Sequence, residues 1–478
     1  MINKTLNMDF KNKRVHMVGI KGVGMTALTE ILFARGAIIT GSDTDEVFYT
    51  DAILKSMGIP YYEEFSKKHI TADIELVIYS SAYSEVTNCE LMQAKKLNMC
   101  LLSYSQVLGR LSACSDSCGV AGVHGKTTTT AMAGTILKSL KLPVTVLVGS
   151  QVPSLNDRST YIGGDRYFIA ETCEYRKNFL KFKPARIIIT SIEEDHLDFF
   201  KDLKDIINAF VEYAHLLPEN GEVIYDCDDA GAEKAVAIMK RKRPDVKYIP
   251  YGKNAEGMFK IENIKFGRGT TQFTLQGFKG DFTICIPGSH SVFNATAAIA
   301  LAAQLLKKEK KRITENDINS IKKGLLNFNG SKRRSEIIGT ACGILFMDDY
   351  AHHPTAIRTT LEGIEQYYSQ KRIIVDFMSH TYSRTAALLH EFGSCFSSAD
   401  QVILHKIYAS ARERYTGSIS GTDLYREVKK HHRDVRYFEE VMDAKDYLKR
   451  HLKENDLFIT MGAGNNWQLG KALYEEFK

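Results

Sequence analysis

No stretch of this 478-residue chain stays apolar for the roughly 18 residues that a membrane helix needs, so no membrane span is expected. The opening Met1–Asp9 has no apolar core of an export signal. Charge of one sign is scarce too. The 63 basic residues stand against 57 acidic ones, and the net +6 shows no nucleic-acid signature, though it suits an anionic small substrate. Nine cysteines are scattered. Cys114 and Cys118 are the closest pair, without a second pair or a histidine at zinc spacing, and they read as reduced thiols of a cytosolic protein. No Ser-His-Asp signature, nucleophilic-cysteine context, internal repeat or low-complexity tract stands out. What is present is 44% hydrophobic and 25% charged residues, the balance of a globular protein with two to four domains.

The most informative stretch is Gly119-Val120-Ala121-Gly122-Val123-His124-Gly125-Lys126-Thr127-Thr128-Thr129-Thr130. An apolar lead-in gives way to close glycines, then Lys-Thr, then a helix-compatible run from Ala131 to Leu140. Such a loop lets backbone N–H groups of Gly122, Val123, His124 and Gly125 curl round a phosphate, with a helix N-terminus behind it. Lys126 would reach the terminal phosphates, and a threonine hydroxyl would sit on Mg²⁺. The full-length motif wants glycine at 120, where this chain has valine, so the loop is a shortened variant. Four consecutive threonines form helix poorly, which disfavours a purely structural glycine turn.

Before this loop, strand Arg14–Ile20, loop Lys21–Met25, a helix to about Arg35 and strand Ala37–Gly41 make a βαβ start. Its G-x-x-G-x-G spacing (Gly19, Gly22, Gly24) is not the nicotinamide fingerprint. Asp43 suits a ribose hydroxyl and a turn cap equally. Strand Ile74–Tyr79 ends in Ser80-Ser81, at the sheet edge where open α/β folds hold ligands. A boundary is expected near Ala113. In the middle third, strand Tyr167–Ala170 ends at Glu171. Strand Arg186–Thr190 runs towards Glu193-Glu194-Asp195-His196. Glu171 and His196 are either metal ligands or, taken singly, a solvated strand end and a surface helix cap. Short strands with turns at Gly267-Arg268-Gly269 and Gly277–Gly280 precede the Ala-rich helix Ala295–Leu306. From pattern alone Asn294 reads as a polar residue of the helix start rather than a base reader.

A second boundary is expected near Asn329-Gly330. Beyond it come Lys332-Arg333-Arg334 and strands Gly343–Asp348, Arg372–Phe377, Gln401–Leu404 and Leu457–Thr460, read as a second open parallel sheet. The expected division is 1–113, 114–330 and 331–478. Three α/β modules with one phosphate loop suit an enzyme that spends ATP centrally and joins a carboxylate to an amine. A dinucleotide oxidoreductase would rest on the N-terminal loop alone and leave Lys126 unexplained.

Taken together, Ala121–Thr128, Glu193–His196, Asp348-Asp349-Tyr350-Ala351-His352-His353-Pro354 and His380-Thr381-Tyr382-Ser383-Arg384-Thr385 resemble the Mur ligases, most closely the branch that adds L-alanine. Gly19–Met25, Ile407-Tyr408-Ala409 and Gly462–Asn465 are similar too. The resemblance implies a Rossmann-like N-terminal domain, a central P-loop ATPase-type domain and a Rossmann-like C-terminal domain. It implies ATP and Mg²⁺, with UDP-N-acetylmuramic acid and L-alanine as substrates. The UDP-sugar would lie on Gly19, Gly22, Val23, Gly24, Asp43, Ser80 and Ser81. Lys126 and Thr128 would bind phosphates, Thr127 one Mg²⁺, and Glu171 and His196 another. Asn294 would contact adenine, and Arg334 and Asp349 would close over ATP. Tyr350, His352, His380 and Arg384 would form the amino-acid pocket, Arg384 pairing with the carboxylate. No lysine stands near Phe210, where sister ligases carry a carbamylated one. Ser289-His290-Ser291 replaces the family's Arg-His-Asn, Glu171–Tyr175 replaces a more acidic run, and Met378-Ser379-His380 replaces Gln-Pro-His. The last change leaves glycine or L-serine as alternatives to L-alanine, and a stem tripeptide is a further one.

Overall fold

The computed structural model describes residues 10–196, 199–267, 269–310, 312–409, 417 and 419–478. The opening segment Met1–Asp9 and Arg268 of the expected turn therefore lie outside the described residues. The chain separates into two compact units. One comprises the residues up to Ser191 with Ile207–Pro250 and Ala297–Gly324; the other comprises Ile192–Ile206, Tyr251–Thr296 and Leu325–Lys478.

The first unit contains two sheets. In the first, β1 (Arg14–Val18), β2 (Ile38–Ser42), β3 (Tyr61–Tyr62), β4 (Leu76–Tyr79) and β5 (Cys100–Ser103) lie in the order β3-β2-β1-β4-β5, all parallel. The order reverses between β1 and β4, and Val18 pairs with Tyr79 there. Gly19 and Ser80 thus emerge side by side at the switch point, where open sheets leave a crevice. The central strands are apolar and buried on both faces, as parallel sheets require.

The second sheet holds β6 (Asp116–Ala121), β7 (Val144–Val152), β8 (Arg158–Ile162), β9 (Tyr167–Glu171), β10 (Arg186–Ile189), β11 (Glu222–Asp226) and β12 (Lys247–Tyr251), ordered β12-β11-β10-β6-β9-β7-β8. β8 pairs antiparallel with β7 at the edge. Strand β6 lies centrally between β10 and β9, so its carboxyl end is flanked by Thr190 and Glu171. At the opposite end, buried Arg186 joins neighbouring strands through Glu222 (2.6 Å) and Asp116, and Lys308 also reaches Asp116.

Helix Lys126–Ser139 follows β6 and starts five residues earlier than the apolar run suggested. The threonines are inside it because tertiary burial overrides propensity. Thr127, Thr129 and Thr130 are buried, and the Thr130 hydroxyl donates back to the Lys126 carbonyl at 2.8 Å.

The second unit has a small antiparallel sheet, β13 (Ile261–Gly267), β14 (Thr270–Leu275) and β15 (Phe282–Ile284), with Phe273 stacked on Phe282. Its larger sheet holds β16 (Glu336–Ala341), β17 (Ile344–Asp349), β18 (Arg372–Phe377), β19 (Gln401–Leu404), β20 (Val435–Tyr437) and β21 (Asp456–Met461), ordered β16-β17-β21-β18-β19-β20. It is parallel except for β16, which pairs antiparallel with β17 through a tight turn at Cys342-Gly343. The four strands read from the sequence are parallel, and the antiparallel β16 was not among them. A two-residue connection can only return the chain antiparallel; a parallel partner needs a crossover. Among the described residues no helix is long and apolar enough to cross a membrane.

Replacing Arg186 by leucine leaves the partly buried Asp116 and Glu222 without their shared cation, with Lys308 still reaching Asp116. We expect a stability loss of roughly 3 kcal/mol, read as a lower urea midpoint at unchanged slope. A midpoint equal to wild type would remove Arg186 from the determinants of stability.

Candidate active site

The turn after β6 is built on glycines with positive φ, Gly122 (140°) and Gly125 (76°). At Gly122 a Cβ would lie 2.1 Å from the Thr190 hydroxyl oxygen and 2.9 Å from the Ser191 nitrogen, so no side chain fits. The loop is tied to the end of β10. Val123 N–H donates to the Ser191 carbonyl (3.0 Å), His124 N–H to the Ser191 hydroxyl (2.9 Å), and Thr190 Oγ1 to the His124 carbonyl. The N–H groups that open helix Lys126–Ser139 have no preceding carbonyl within the helix and carry its positive dipole end.

Lys126 folds over this turn. Its ammonium donates to the Gly122 carbonyl and forms an ion pair with Glu174 at 3.1 Å. Burial works against its charge, but the Glu174 carboxylate prevails and holds its pKa above the ordinary lysine value. Thr127 Oγ1 donates to Glu171 Oε2 at 2.8 Å, and Gly149 N–H donates to the same oxygen at 3.1 Å. A Cβ on Gly149 would come within 2.3 Å of that carboxylate. The unit therefore brings Lys126, Thr127 and Glu171 together, with two oxygen donors of the kind Mg²⁺ takes. Glu174 and Gly149 were missed as site residues. The acid spacing Glu171–Glu174 was the available signal for the former, and nothing local marks the latter.

In the same unit, Gly19 (φ 84°) and Gly24 pack against Tyr83 and Tyr104, and Gly22 precedes helix Val23–Ala34. Asp43 is buried and braces the loop. One of its carboxylate oxygens accepts from Lys21 N–H (2.7 Å), the other from Thr44 N–H (2.9 Å) and the Tyr83 hydroxyl (3.0 Å). Lys21 is fully buried, its ammonium held by the Thr44 and Glu46 carbonyls, Glu63 and Asp51. Ser80 Oγ accepts from Ala82 N–H, and Ser81 is exposed.

The remaining candidates fall in the second unit. Asp195 is the hub there. Arg384 donates to one of its oxygens through Nε (3.1 Å) and Nη2 (2.8 Å), both side chains being about nine-tenths buried. Burial opposes the Asp195 charge, yet Arg384 and then His196 hold its pKa far below the carboxylate range. Arg384 Nη1 also donates to His380 Nδ1 (3.3 Å), and the His380 ring stacks on Tyr408. His352 lies 6.0 Å from the His380 ring and 5.1 Å from the Tyr350 ring. Burial, then the nearby Arg384 cation, pushes His352 well below the ordinary histidine value, so it stays neutral. Tyr350, His352, His380 and Arg384 thus lie in one cluster. Asp195 and Tyr408 belong to it as well; both stood in quoted motifs, but nothing local placed them in this cluster.

Arg333 and Arg334 both lie over the Tyr350 ring, at 5.2 and 5.0 Å. Arg333 reaches Asp348 at 2.9 Å; burial nevertheless pushes Asp348 up to about 6. Asp349 accepts from Ser335 N–H (2.6 Å) and Ala351 N–H (2.7 Å), so it ties the basic loop to the end of β17. His196 has φ 55° and its N–H donates to Asp195 Oδ1 (2.7 Å). Asn294 is buried in helix Ser289–Lys310, which begins before Ala295.

A glycine–lysine–threonine turn backed by acids, a glycine loop at a switch point and a charged cluster on a third α/β sheet are the arrangement of an ATP-dependent ligase, and the comparisons bear out that class. Descriptions of the Mur ligase family match along the chain: the Mur ligase catalytic domain over 14–115, the middle domain over 120–302 and the glutamate ligase domain over 333–464. A UDP-N-acetylmuramate–L-alanine ligase of Treponema pallidum is 48% identical over 474 residues, covering 99% of this chain and 98% of that protein. One from Borreliella afzelii is 39% identical over 468 residues, with 97% and 99% covered. The crystal structure of a UDP-N-acetylmuramate–alanine ligase from Thermotoga maritima superposes with TM-score 0.77 at 24% identity, covering 97% of this chain and 99% of that one. A murein peptide ligase from Psychrobacter arcticus superposes at 0.68 with 22% identity, covering 98% and 99%. The chain belongs to the Mur ligase family, whose structures have three domains.

Two outcomes follow from this geometry. Gly122→Ala forces a Cβ into Thr190 and a non-glycine residue to φ 140°, so unfolding should become easier by about 2 kcal/mol; an unchanged urea midpoint would contradict the packing. Arg384→Gln removes a cation beside His352 and unmasks Asp195, and both changes favour the protonated ring. The His352 pKa should move up in a histidine NMR titration; a fixed or falling value would contradict the assigned cause.

Proposed function

We propose that this enzyme ligates L-alanine to the carboxylate of UDP-N-acetylmuramic acid, giving UDP-N-acetylmuramoyl-L-alanine, ADP and phosphate in peptidoglycan precursor synthesis. The observation that carries the reading is the 48% identity, over essentially the whole of both chains, to a protein bearing that activity in its name. In this reading the chain has three functional parts: a nucleotide-sugar domain over 1–113, an ATP domain over 114–330 and an amino-acid domain over 331–478. The ends of the family matches near 115 and 333 support those boundaries.

In this reading the muramate carboxylate attacks the γ-phosphorus of ATP, ADP leaves, and an acyl phosphate forms. The alanine amine then attacks the acyl carbon and phosphate departs. Lys126 leaves Glu174 to neutralise the phosphoryl oxygens, aided by the helix N-terminus beneath the loop. Thr127, Glu171 and His196 are the residues that would hold Mg²⁺, and the 2.8 Å pairing of Thr127 with Glu171 supports the first two. Mg²⁺ there would supply charge neutralisation on the phosphates. Gly122, Val123, His124, Gly125 and Thr128 cradle the phosphates, Asn294 faces the adenine, and Arg334 and Asp349 close over the nucleotide. Gly19, Gly22, Val23, Gly24, Asp43, Ser80 and Ser81 hold the UDP-sugar. Asp43 does so by bracing the loop, since both its oxygens are already engaged. Arg384 receives the alanine carboxylate, and Tyr350, His352 and His380 enclose the amino acid. Neutral His352 is suited to accepting the ammonium proton when the amine becomes a nucleophile. ATP and a nucleotide-sugar as substrates, with nine unpaired cysteines, support a cytoplasmic location.

The test is phosphate release from ATP with UDP-N-acetylmuramic acid and, separately, L-alanine, glycine, L-serine or a stem tripeptide. L-Alanine should be required. Release only with another amine would move the substrate and keep the chemistry. Lys126→Ala should lower turnover by about 10²–10³-fold; near-normal turnover would sink its phosphate role.

A further inference from the structure

Tyr104 opens helix Tyr104–Ala113, fixed by a reciprocal cap in which Ser103 Oγ accepts from Gln106 N–H and the Gln106 side chain accepts from Ser103 N–H. Its ring lies against Gly24 in the first turn of helix Val23–Ala34. A methyl at Gly24 would sit 3.0 Å from both the phenol carbon and its oxygen, so glycine is what admits the ring. The first-turn N–H groups of that helix point out at its positive end, without carbonyl partners of their own helix.

Nearby tyrosines have acceptors: Tyr79 donates to Glu85 at 2.7 Å and Tyr83 to Asp43 at 3.0 Å. The half-buried Tyr104 hydroxyl makes no hydrogen bond among the described residues. The loop's own cation is not available to an anion either, because the Lys21 ammonium is buried among the Thr44 and Glu46 carbonyls, Glu63 and Asp51. Burial, then the Glu171 carboxylate, drives the Tyr104 phenol far above its ordinary value, so it stays a donor at every working pH.

We propose that the Tyr104 hydroxyl donates a hydrogen bond to an anionic oxygen of the nucleotide-sugar seated on the Gly19–Gly24 loop. The inference rests on the UDP-sugar reading above. The oxygen belongs either to the diphosphate, which favours the helix N-terminus, or to the muramate carboxylate, which must come near Glu171 to meet ATP.

Tyr104→Phe keeps the ring on Gly24 and deletes only the hydroxyl. Calorimetric titrations of the full-length wild type and variant with UDP-N-acetylmuramic acid, UDP, uridine and ADP separate the possibilities. The variant should bind UDP-N-acetylmuramic acid about tenfold more weakly, the value of one hydrogen bond to a charged group, while uridine and ADP bind as before. An equal loss for UDP assigns the partner to the diphosphate; a loss for UDP-N-acetylmuramic acid alone assigns it to the carboxylate. Unchanged affinity for UDP-N-acetylmuramic acid, or an equal loss for uridine, overturns the proposal. Failure of the wild type itself to bind UDP-N-acetylmuramic acid overturns the underlying reading instead. Unaltered ADP binding shows that the variant is folded. Gly24→Ala, which displaces the ring, should reproduce the loss.

Discussion

The absence of a side chain at Gly122 is the constraint on which the glycine–lysine end of the first unit depends. Because nothing projects from that residue, the turn after β6 packs directly on Thr190 and Ser191 at the end of β10. That contact fixes where helix Lys126–Ser139 begins, and hence where Lys126 and Thr127 point. Thr127 is then within hydrogen-bond reach of Glu171 on the strand at the other side of β6, and Gly149 on β7 leaves room for the same carboxylate. Three neighbouring strands and two glycines thus converge on the turn after β6, each through backbone proximity rather than through a large side chain. The parallel arrangement makes this possible, since it brings the carboxyl ends of β6, β9 and β10 to one edge.

The second unit uses charge where the first uses close backbone contact. Asp195 and Arg384 are each about nine-tenths buried and are acceptable there only as a pair. Their bond fastens the segment Ile192–Ile206 to the loop after β18, although nearly 190 residues separate them in sequence. Further contacts in the same direction run from Thr355 to Glu193 (2.9 Å) and between His353 and the Glu194 carbonyl. The cation that neutralises Asp195 adds to the burial that lowers the His352 pKa, while Asp195 itself acts against it. The cost of burying the two charges is offset by their direct contact at 2.8 Å.

Sequence by itself determined the parts whose physics is local. The glycine–lysine–threonine turn, the β-branched strands β1, β10 and β18 and the separation into α/β modules are all written in contiguous residues, because chain reversal at a glycine and strand periodicity need no distant partner. Edge strands were less legible: β8 and β16 run antiparallel because of short connections, and β7 and β8 carry no motif to mark them. Propensity misplaced the start of helix Lys126–Ser139, since the burial that holds three of the four threonines in a helix comes from other elements. Only tertiary structure decided that Glu174 takes Lys126, that Asp43 faces inward to brace its loop, that Asp195 joins Arg384 and that Gly24 admits Tyr104. Each of these joins residues whose spacing bears no relation to helix or strand period. Burial then makes the outcome consequential, because a buried charge or a missing Cβ is decided by what lies across the space from it, and that neighbour is distant in sequence.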